Sequence, residues 1–490
     1  MSMVVHAQFT TVLMNRQGPS SQAHYGSIIF GLGDQNSDGY ADFAIWAWGL
    51  GPLQRPNYTR LEFFHGGNPV RAVPYRTIFA DTVNGVYLGS PGPAGDLNGD
   101  GFVDWFVVTE YRDEPSVNSL EIYLGGPNAI DTPSAVIRLP GYVRVRAMGD
   151  FNGDGYDDLY VSVDDQYGHP YRKGAYFGGN PMDTEPDWTV SGPPGYTDEA
   201  ELLSFGDLNG DGYSDAVSVN SAPAMLYVFL GSAHPDTVPA ITWENFNASP
   251  CAIVKDINGD GRDDLLTQGD SLIEVHFGRQ IMSRVADLTL HCPAATQSFS
   301  SAGDLNGDGY NDFIAYARND YAYLARTAVI FLGYRWINRN PVFQVYDGSD
   351  FPLFTAIGVG DANGDGADDW AVGGYYDPSP GRAIVYSGNL QVHVAADEPR
   401  ASLPATLELA AFPNPFNPTT TISFTLNTPG RATISVFDLL GRRVEVLTDG
   451  HFERGRHQIL FDANGIPSGT YLVRLNGNGS ALSQKLQLIR

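Results

Sequence analysis

Short apolar runs of strand length recur along the chain. Seven of them begin with an aspartate: "DFAIWAW", "DWFVVTE", "DLYVSVD", "DAVSVNS", "DLLTQGD", "DFIAYAR" and "DWAVGGY". Most are rich in β-branched or aromatic residues, which predicts strands. A second series, "FFHGG", "IYLGG", "AYFGG", "VFLGS", "VHFGR", "VIFLGY" and "IVYSG", reads as strands ending in a glycine that lets the chain reverse. Lysine- and leucine-rich helical heptads are absent, so the pattern predicts an all-β protein. Beyond residue 405 the alternation continues in "FPNPFNPTTTISFTL", "ATISVFDLLGRRV", "HQILFDA" and "SGTYLVRL", with turns every 8–12 residues. That is the pattern of a small β-sandwich.

The first series is preceded each time by one acidic phrase, D-x-N-x-D-G-x-x-D. The copies are "DQNSDGYAD", "DLNGDGFVD", "DFNGDGYDD", "DLNGDGYSD", "DINGDGRDD", "DLNGDGYND" and "DANGDGADD". They start at Asp34, Asp96, Asp150, Asp207, Asp256, Asp304 and Asp361, at spacings of 62, 54, 57, 49, 48 and 57 residues. The second-series glycine follows each start by 22 to 32 residues. A repeat near 54 residues suits a propeller blade, since helical repeats are shorter.

Oxygens at positions 1, 3 and 5 of such a loop converge, glycine at 6 permits the turn, the carbonyl at 7 adds a donor and a carboxylate at 9 closes the shell. Hard oxygen donors in that number suit Ca²⁺. The expected ligands are Asp34, Asn36, Asp38, Tyr40 and Asp42; Asp96, Asn98, Asp100, Phe102 and Asp104; Asp150, Asn152, Asp154, Tyr156 and Asp158; Asp207, Asn209, Asp211, Tyr213 and Asp215; Asp256, Asn258, Asp260, Arg262 and Asp264; Asp304, Asn306, Asp308, Tyr310 and Asp312; and Asp361, Asn363, Asp365, Ala367 and Asp369. Position 7 contributes only its carbonyl. Carboxylates about 4 Å apart repel by about 4 kcal/mol per pair at an effective dielectric of 20. No Lys or Arg stands at positions 1, 3, 5 or 9 to offset this. Up to seven Ca²⁺ are expected; an Asx-rich turn that binds nothing is the plainer reading of any single copy.

An EF-hand requires Glu at position 12. Those positions hold Ile45, Val107, Val161, Ser218, Thr267, Ala315 and Val372, which excludes it. The loops join strands, not helices.

The chain has 29 basic and 56 acidic residues, a formal charge of −27. This disfavours binding to a phosphate backbone, and no nucleic-acid partner is expected. The three aspartates of each copy use 21 of the 56 acids, and seven Ca²⁺ would bring the charge to −13. The acidity is therefore largely local. Two cysteines, Cys251 and Cys292, exclude a disulfide scaffold and leave one bridge or two free thiols open. No run of 18 apolar residues predicts a membrane span. Val5-His6-Ala7 before Gln8 has the spacing of a signal-cleavage site without the usual preceding regions, so the chain either begins inside a signal peptide or matches by chance.

Strand, acidic loop, strand, then a strand ending in Phe/Leu-Gly resembles the FG-GAP (VCBS-type) repeats of integrin-α-like propellers and their bacterial relatives. The resemblance covers about residues 20–395. It implies a seven-bladed β-propeller with four-stranded blades and the Ca²⁺ loop between the first two strands of each. Either "LQVHVA" (Leu390–Ala395) or "QFTTVLM" (Gln8–Met14) would close the ring. Residues 1–19 are read as a separate N-terminal segment and 396–405 as a linker.

Within 406–490, Pro413-Asn414-Pro415-Phe416, "VFDLLGRRV", "SGTYLVRL" and the final "QKLQLIR" resemble the immunoglobulin-like C-terminal sorting domain of the type IX secretion pathway. The resemblance implies export across the outer membrane by that machinery and a secreted or cell-surface location. An ordinary accessory sandwich is the alternative.

No phosphate loop, nucleophile elbow or zinc helix motif occurs. The pairs Asp157-Asp158, Asp263-Asp264 and Asp368-Asp369 each place their second member at position 9, so no hydrolase reading rests on them. No catalytic residue is expected. The rim opposite the acidic loops would carry Trp46, Trp48, Tyr58, Tyr111, Arg112, Tyr167, His169, Tyr171, Arg172, Tyr321, Tyr323, Tyr375, Tyr376 and Arg382. Aromatics with Arg anchor interfaces, and flat rings stack on sugars. The expected function is adhesion or recognition of a protein or glycan ligand on that rim. A polysaccharide lyase-like enzyme and a purely structural surface module are the alternatives.

Overall fold

A computed structural model of the chain describes residues 11–18, 23–49, 59–81, 85–111, 117–164, 170–190, 201–221, 224–246, 250–268, 272–292, 295–318, 326–333, 343–346, 353–375 and 380–388, and most of 408–489. Every regular element among them is a β-strand. The chain divides into two compact units, 1–392 and 393–490.

Among the described residues the first unit contains seven antiparallel sheets, called blades 1 to 7 in chain order. Blade 1 is Ala23–Gly33, Asp42–Gly49, Arg60–Phe64 and Arg76–Phe79; blade 2 is Val86–Gly95, Asp104–Tyr111, Val117–Tyr123 and Ala135–Pro140. Blades 4, 5 and 6 repeat this order from Glu201, Cys251 and Ala295. Blade 3 has three strands from Tyr142 to Tyr176, extended by a bridge between Ala175 and Trp188.

Blade 7 is stitched from both ends of the unit. Leu353–Gly360, Asp369–Gly374 and Arg382–Tyr386 supply three strands, and Val12–Gln17 pairs antiparallel with the third. The propeller therefore begins before residue 20, and Val12–Met14 of the segment Gln8–Met14 takes the closing position. Leu390–Ala395 lies outside the described residues.

Each neighbouring pair of blades shares a core. Phe43 and Ile45 of blade 1 pack with Val359, Ala371 and Val385 of blade 7. The intervening Ala44 packs with Trp105 and Val107 of blade 2. Five more cores join blades 2 to 3, 3 to 4, 4 to 5, 5 to 6 and 6 to 7. Successive side chains of a strand point to opposite faces, and here both faces are covered. That is why the second strands read as continuous apolar runs. The closed cycle of seven cores makes the unit a β-propeller.

Cys251 is a buried free thiol, pushed up to about 12 by burial, and the Cys292 sulfur accepts from the Thr296 hydroxyl at 3.6 Å.

The second unit is a sandwich. One sheet is Glu408–Phe412, Thr419–Leu426 and Gly455–Asp462; the other orders Arg443–Phe452, Gly430–Asp438, Gly469–Gly477 and Ser480–Leu488. Phe416, Ile422, Phe424, Ile434, Val436, Phe461, Val473 and Leu486 fill its interior. Asn414 and Phe416 hold the final strand: Asn414 Nδ2 donates to the Lys485 carbonyl, Gln487 N–H donates to Asn414 Oδ1, and Phe416 N–H donates to the Gln487 carbonyl. Pro413 and Pro415 lie outside the described residues.

Candidate functional site

All seven acidic loops connect the first and second strands of their blades, so they share one rim. Within each loop the side-chain oxygens fold onto the backbone. In the second, Asp96 accepts from the N–H groups of Asp100 and Gly101 at 3.0 and 2.8 Å, Asn98 Oδ1 from Asp100 at 2.8 Å, and Asp100 Oδ1 from Phe102 at 3.0 Å. The pattern repeats in the others, for example Asp154 and Gly155 on Asp150 and Asp365 and Gly366 on Asp361.

Position 9 is fully buried in all seven loops: Asp42, Asp104, Asp158, Asp215, Asp264, Asp312 and Asp369 are each 0% exposed. One oxygen accepts the N–H of position 2, as from Leu97, Phe151 and Leu305 at 2.8–2.9 Å. The other accepts the N–H of the second-series glycine: Gly66, Gly125, Gly178, Gly231, Gly278, Gly333 and Gly388, at 2.7–3.0 Å. Those glycines do more than let the chain reverse. A Cβ on Gly125 would run into the Val103 carbonyl, and one on Gly333 into that of Asn311. Only glycine lets its N–H approach the buried carboxylate so closely.

Burial raises the position-9 acids, to about 7 at Asp104, Asp158, Asp215, Asp264 and Asp369 and about 8 at Asp312. The backbone donors act in the opposite direction, and the negative charges at positions 1 and 5 add to the rise.

Positions 1, 3 and 5 thus share the backbone donors of their loop, and the position-3 amide reaches position 9 in two of them, Asn258 to Asp264 and Asn363 to Asp369. Asn36 Nδ2 reaches Asp38. Their oxygens are engaged with backbone donors, and among the described residues no group of three or more His, Cys, Asp or Glu has the arrangement to hold a metal ion. The donor chemistry nonetheless fits a hard dication: oxygens such as Asp96 Oδ2, Asn98 Oδ1 and Asp100 Oδ1 accept one backbone bond and keep a second lone pair, and the buried Asp104 carboxylate lies beside two anions. Position-7 side chains have a separate task. Tyr156, Tyr213, Tyr310 and Tyr40 lie over the position-4 glycine of the preceding loop.

The loops also lock to one another. The N–H of position 8 donates to the position-1 carbonyl of the preceding loop, as Asp157 to Asp96, Ser214 to Asp150 and Asp368 to Asp304 at 2.9 Å. Ala41 donates in the same way to Asp361 and closes the circle. Where position 8 is aspartate, its carboxylate accepts the position-1 N–H in return: Asp157 from Asp96, Asp263 from Asp207 and Asp368 from Asp304. The first acid of each pair thus has a structural role that spacing alone did not reveal. Loop 1 is distinguished by His65, whose Nδ1 lies 3.2 Å from Asp42 and whose ring stacks on Tyr75 at 3.7 Å.

On the opposite rim Trp46, Trp48 and Tyr375 line one cleft of 490 Å³ between blades 1, 2, 3 and 7, together with Tyr87, Glu110, Asn118 and Tyr142. Of the other expected rim residues, Tyr111 lies under the Arg138 guanidinium, and Arg382 donates to Asn15 in the closing strand. Tyr58, Arg112, Tyr167, His169, Tyr321, Tyr323 and Tyr376 lie outside the described residues, as do the side chains of Tyr171 and Arg172. Tyr87, Glu110 and Tyr142 were not expected from the sequence. Their position at a strand start or end opposite an acidic loop is the signal that marks them.

The profile of the FG-GAP-like repeat matches residues 96–161 and 207–267, and that of the secretion system C-terminal sorting domain matches 410–489. The chain carries both. It is thereby exported through the type IX pathway to the cell surface or the extracellular space. Integrin alpha-5 of Xenopus laevis is 24% identical over 235 residues, 43% of this chain and 21% of the relative. The chain therefore spans about a fifth of that protein's length. Among solved structures, BBS1N in complex with ARL6DN, soaked with lead, aligns with a TM-score of 0.41 at 9% identity, over 77% of this chain and 98% of the other. Dimeric latent PorU from Porphyromonas gingivalis aligns with a TM-score of 0.16 at 13% identity, over 96% and 33%.

Proposed function

We propose that the protein is an extracellular recognition module: its propeller binds a protein or glycan ligand through the rim opposite the acidic loops, without chemical turnover, and Ca²⁺ on those loops rigidifies it. The aromatic cleft carries this reading. It is concave, falls inside the range of about 300–1,000 Å³ usual for ligand sites, and combines flat rings with a few polar groups. The integrin-α resemblance fits adhesion, and export delivers the rim to the outside of the cell.

Seven copies of one oxygen-rich loop, each holding a desolvated carboxylate beside two more, support the calcium part. The dication would supply the counter-charge that no Lys or Arg at the donor positions provides. Extracellular modules of this type work at Kd of about 10⁻⁴–10⁻³ M, and external calcium would fill them.

The test is binding of the full chain to protein and glycan arrays in calcium and in chelator, run beside an assay for polysaccharide cleavage. Binding that needs Trp48 and leaves the ligand intact supports the reading. Cleavage by the purified chain overturns the non-enzymatic part, and retention of all binding by a Trp48→Ala chain overturns the rim.

A further inference from the structure

The cleft has enough detail to say more about its occupant, resting on the recognition role just proposed. Its floor and walls come from four blades: Trp46 and Trp48 from blade 1, Tyr87 and Glu110 from blade 2, Tyr142 from blade 3 and Tyr375 from blade 7. The rings are held in place before any ligand arrives. Phe354 stacks on Tyr375 at 4.3 Å and 10°, Tyr375 on His24 at 3.9 Å and 8°, and His24 leans on Trp48 at 5.0 Å. This row of four rings runs across the seam where the propeller closes. Facing it, Tyr142 is 56% exposed. Fixed rings present contact area at little cost in conformational entropy.

A protein partner needs a broad, flat contact of about 800 Å² on each side; a cleft of 490 Å³ suits a short chain of small units. The alternation of ring faces with hydroxyl, amide and carboxylate groups matches a molecule having apolar C–H faces and hydroxyl edges. Among the described residues the cleft lining contains one carboxylate, Glu110, and neither Lys nor Arg; Arg144, 5.9 Å from the Tyr142 ring, is paired with Asp164 and Glu201, and the protein has a formal charge of −27. An acidic polysaccharide would be repelled. The Trp46 indole N–H is buried and has no hydrogen-bond partner among the described residues.

We infer that this cleft binds an uncharged oligosaccharide, its sugar rings lying against Trp48 and Tyr142, with Tyr375 buttressing Trp48 through His24, and its hydroxyls reaching Glu110 and Asn118.

The experiment titrates the full-length chain, in calcium, with gluco-, xylo-, manno- and chito-oligosaccharides and with polygalacturonate, reading tryptophan fluorescence and calorimetric heat. Binding of at least one uncharged series is expected. Trp48→Ala should weaken it about tenfold or more, the loss of a stacking anchor, and Tyr375→Ala, which removes the support behind that ring, should weaken it several-fold. Trp48→Phe and Tyr142→Ala, checked for an unchanged melting curve, keep the test valid where a truncation disturbs the blade seam. Glu110→Gln, which replaces a charged hydroxyl acceptor by a neutral one, should weaken uncharged ligands several-fold and reduce exclusion of polygalacturonate. Binding of polygalacturonate alone, uncharged-sugar binding unaffected by every aromatic variant, or no sugar binding overturns the inference. In the last case, Trp48-dependent capture on the protein array would keep the rim-recognition role, whereas loss of both would remove it too.

Discussion

The Asp157 carboxylate of blade 3 accepts the backbone N–H of Asp96 in blade 2 at 2.8 Å, while Asp157 N–H donates to the Asp96 carbonyl at 2.9 Å. The two residues belong to adjacent blades and are tied in both directions. The same two-way bond joins Asp263 to Asp207 and Asp368 to Asp304. Asp157→Ala leaves an N–H without its charged acceptor, so it should destabilise the chain by about 1–3 kcal/mol. Urea unfolding of the single variants and of an Asp157/Asp263 double variant is the measurement, and the costs of these separate blade seams should add.

Calcium removal is predicted to lower the melting temperature strongly. An ion that binds only the folded chain adds RT ln(1 + [L]/Kd) at each site. With millimolar calcium and Kd of about 10⁻⁴ M, each filled site contributes about 1.4 kcal/mol by that expression. Calorimetric melts with and without excess chelator would read it. Superimposed curves would remove calcium from the account.

The pH response of the chelated chain should be unusual. Asp104, Asp158, Asp215, Asp264 and Asp369 titrate near 7 in the folded state, and Asp312 near 8, because burial penalises their charged form. An unfolded aspartate titrates near 3.9. The folded state therefore binds more protons between about pH 4 and 8, and its stability falls as pH rises through that window. Melts of metal-free protein at pH 5 and pH 8 should show the higher midpoint at pH 5, and saturating calcium should shrink or reverse the difference.

Two glycines in one blade separate close approach from backbone conformation. Gly125→Ala puts a methyl against the Val103 carbonyl and pulls the N–H off Asp104. Gly101→Ala meets nothing within 4 Å but sits at φ +89°. The second should cost about 1–2 kcal/mol, the usual left-handed penalty. The first should cost more and should also lower calcium affinity, measured by calorimetry.

In the sorting domain, Asn414→Ala removes both side-chain bonds to the final strand. It should loosen that strand by about 1–3 kcal/mol. Secretion of the variant, compared with wild type by immunoblot of medium and cells, should fall.

Much of this architecture was legible in the sequence. The loop motif and the apolar runs behind it gave the second strand of each blade, because a strand covered on both faces must be apolar throughout. The second-series glycines were visible as landmarks, yet their cause was not: a clash with the Val103 or Asn311 carbonyl depends on how three strands converge. The acids at position 8 were equally opaque, since Asp157 finds its partner 61 residues earlier in the chain. The closing strand was ambiguous for a similar reason. Its alternation in Val12–Gln17 is short, and pairing with Arg382–Tyr386 is a matter of topology. The aromatic cleft was half visible, through Trp46, Trp48 and Tyr375; Tyr87 and Tyr142 begin their strands and look like ordinary sheet residues.

The closing strand also sets a timetable. Asn15 accepts a hydrogen bond from Arg382, 367 residues downstream. Ribosomes add about 5–20 residues per second, so the first strand emerges about 20 to 70 seconds before its partner exists. Throughout that interval the nascent chain carries an unmatched edge. The wheel becomes whole only once nearly every blade has been translated, and a protein truncated before residue 382 would be left as an open arc.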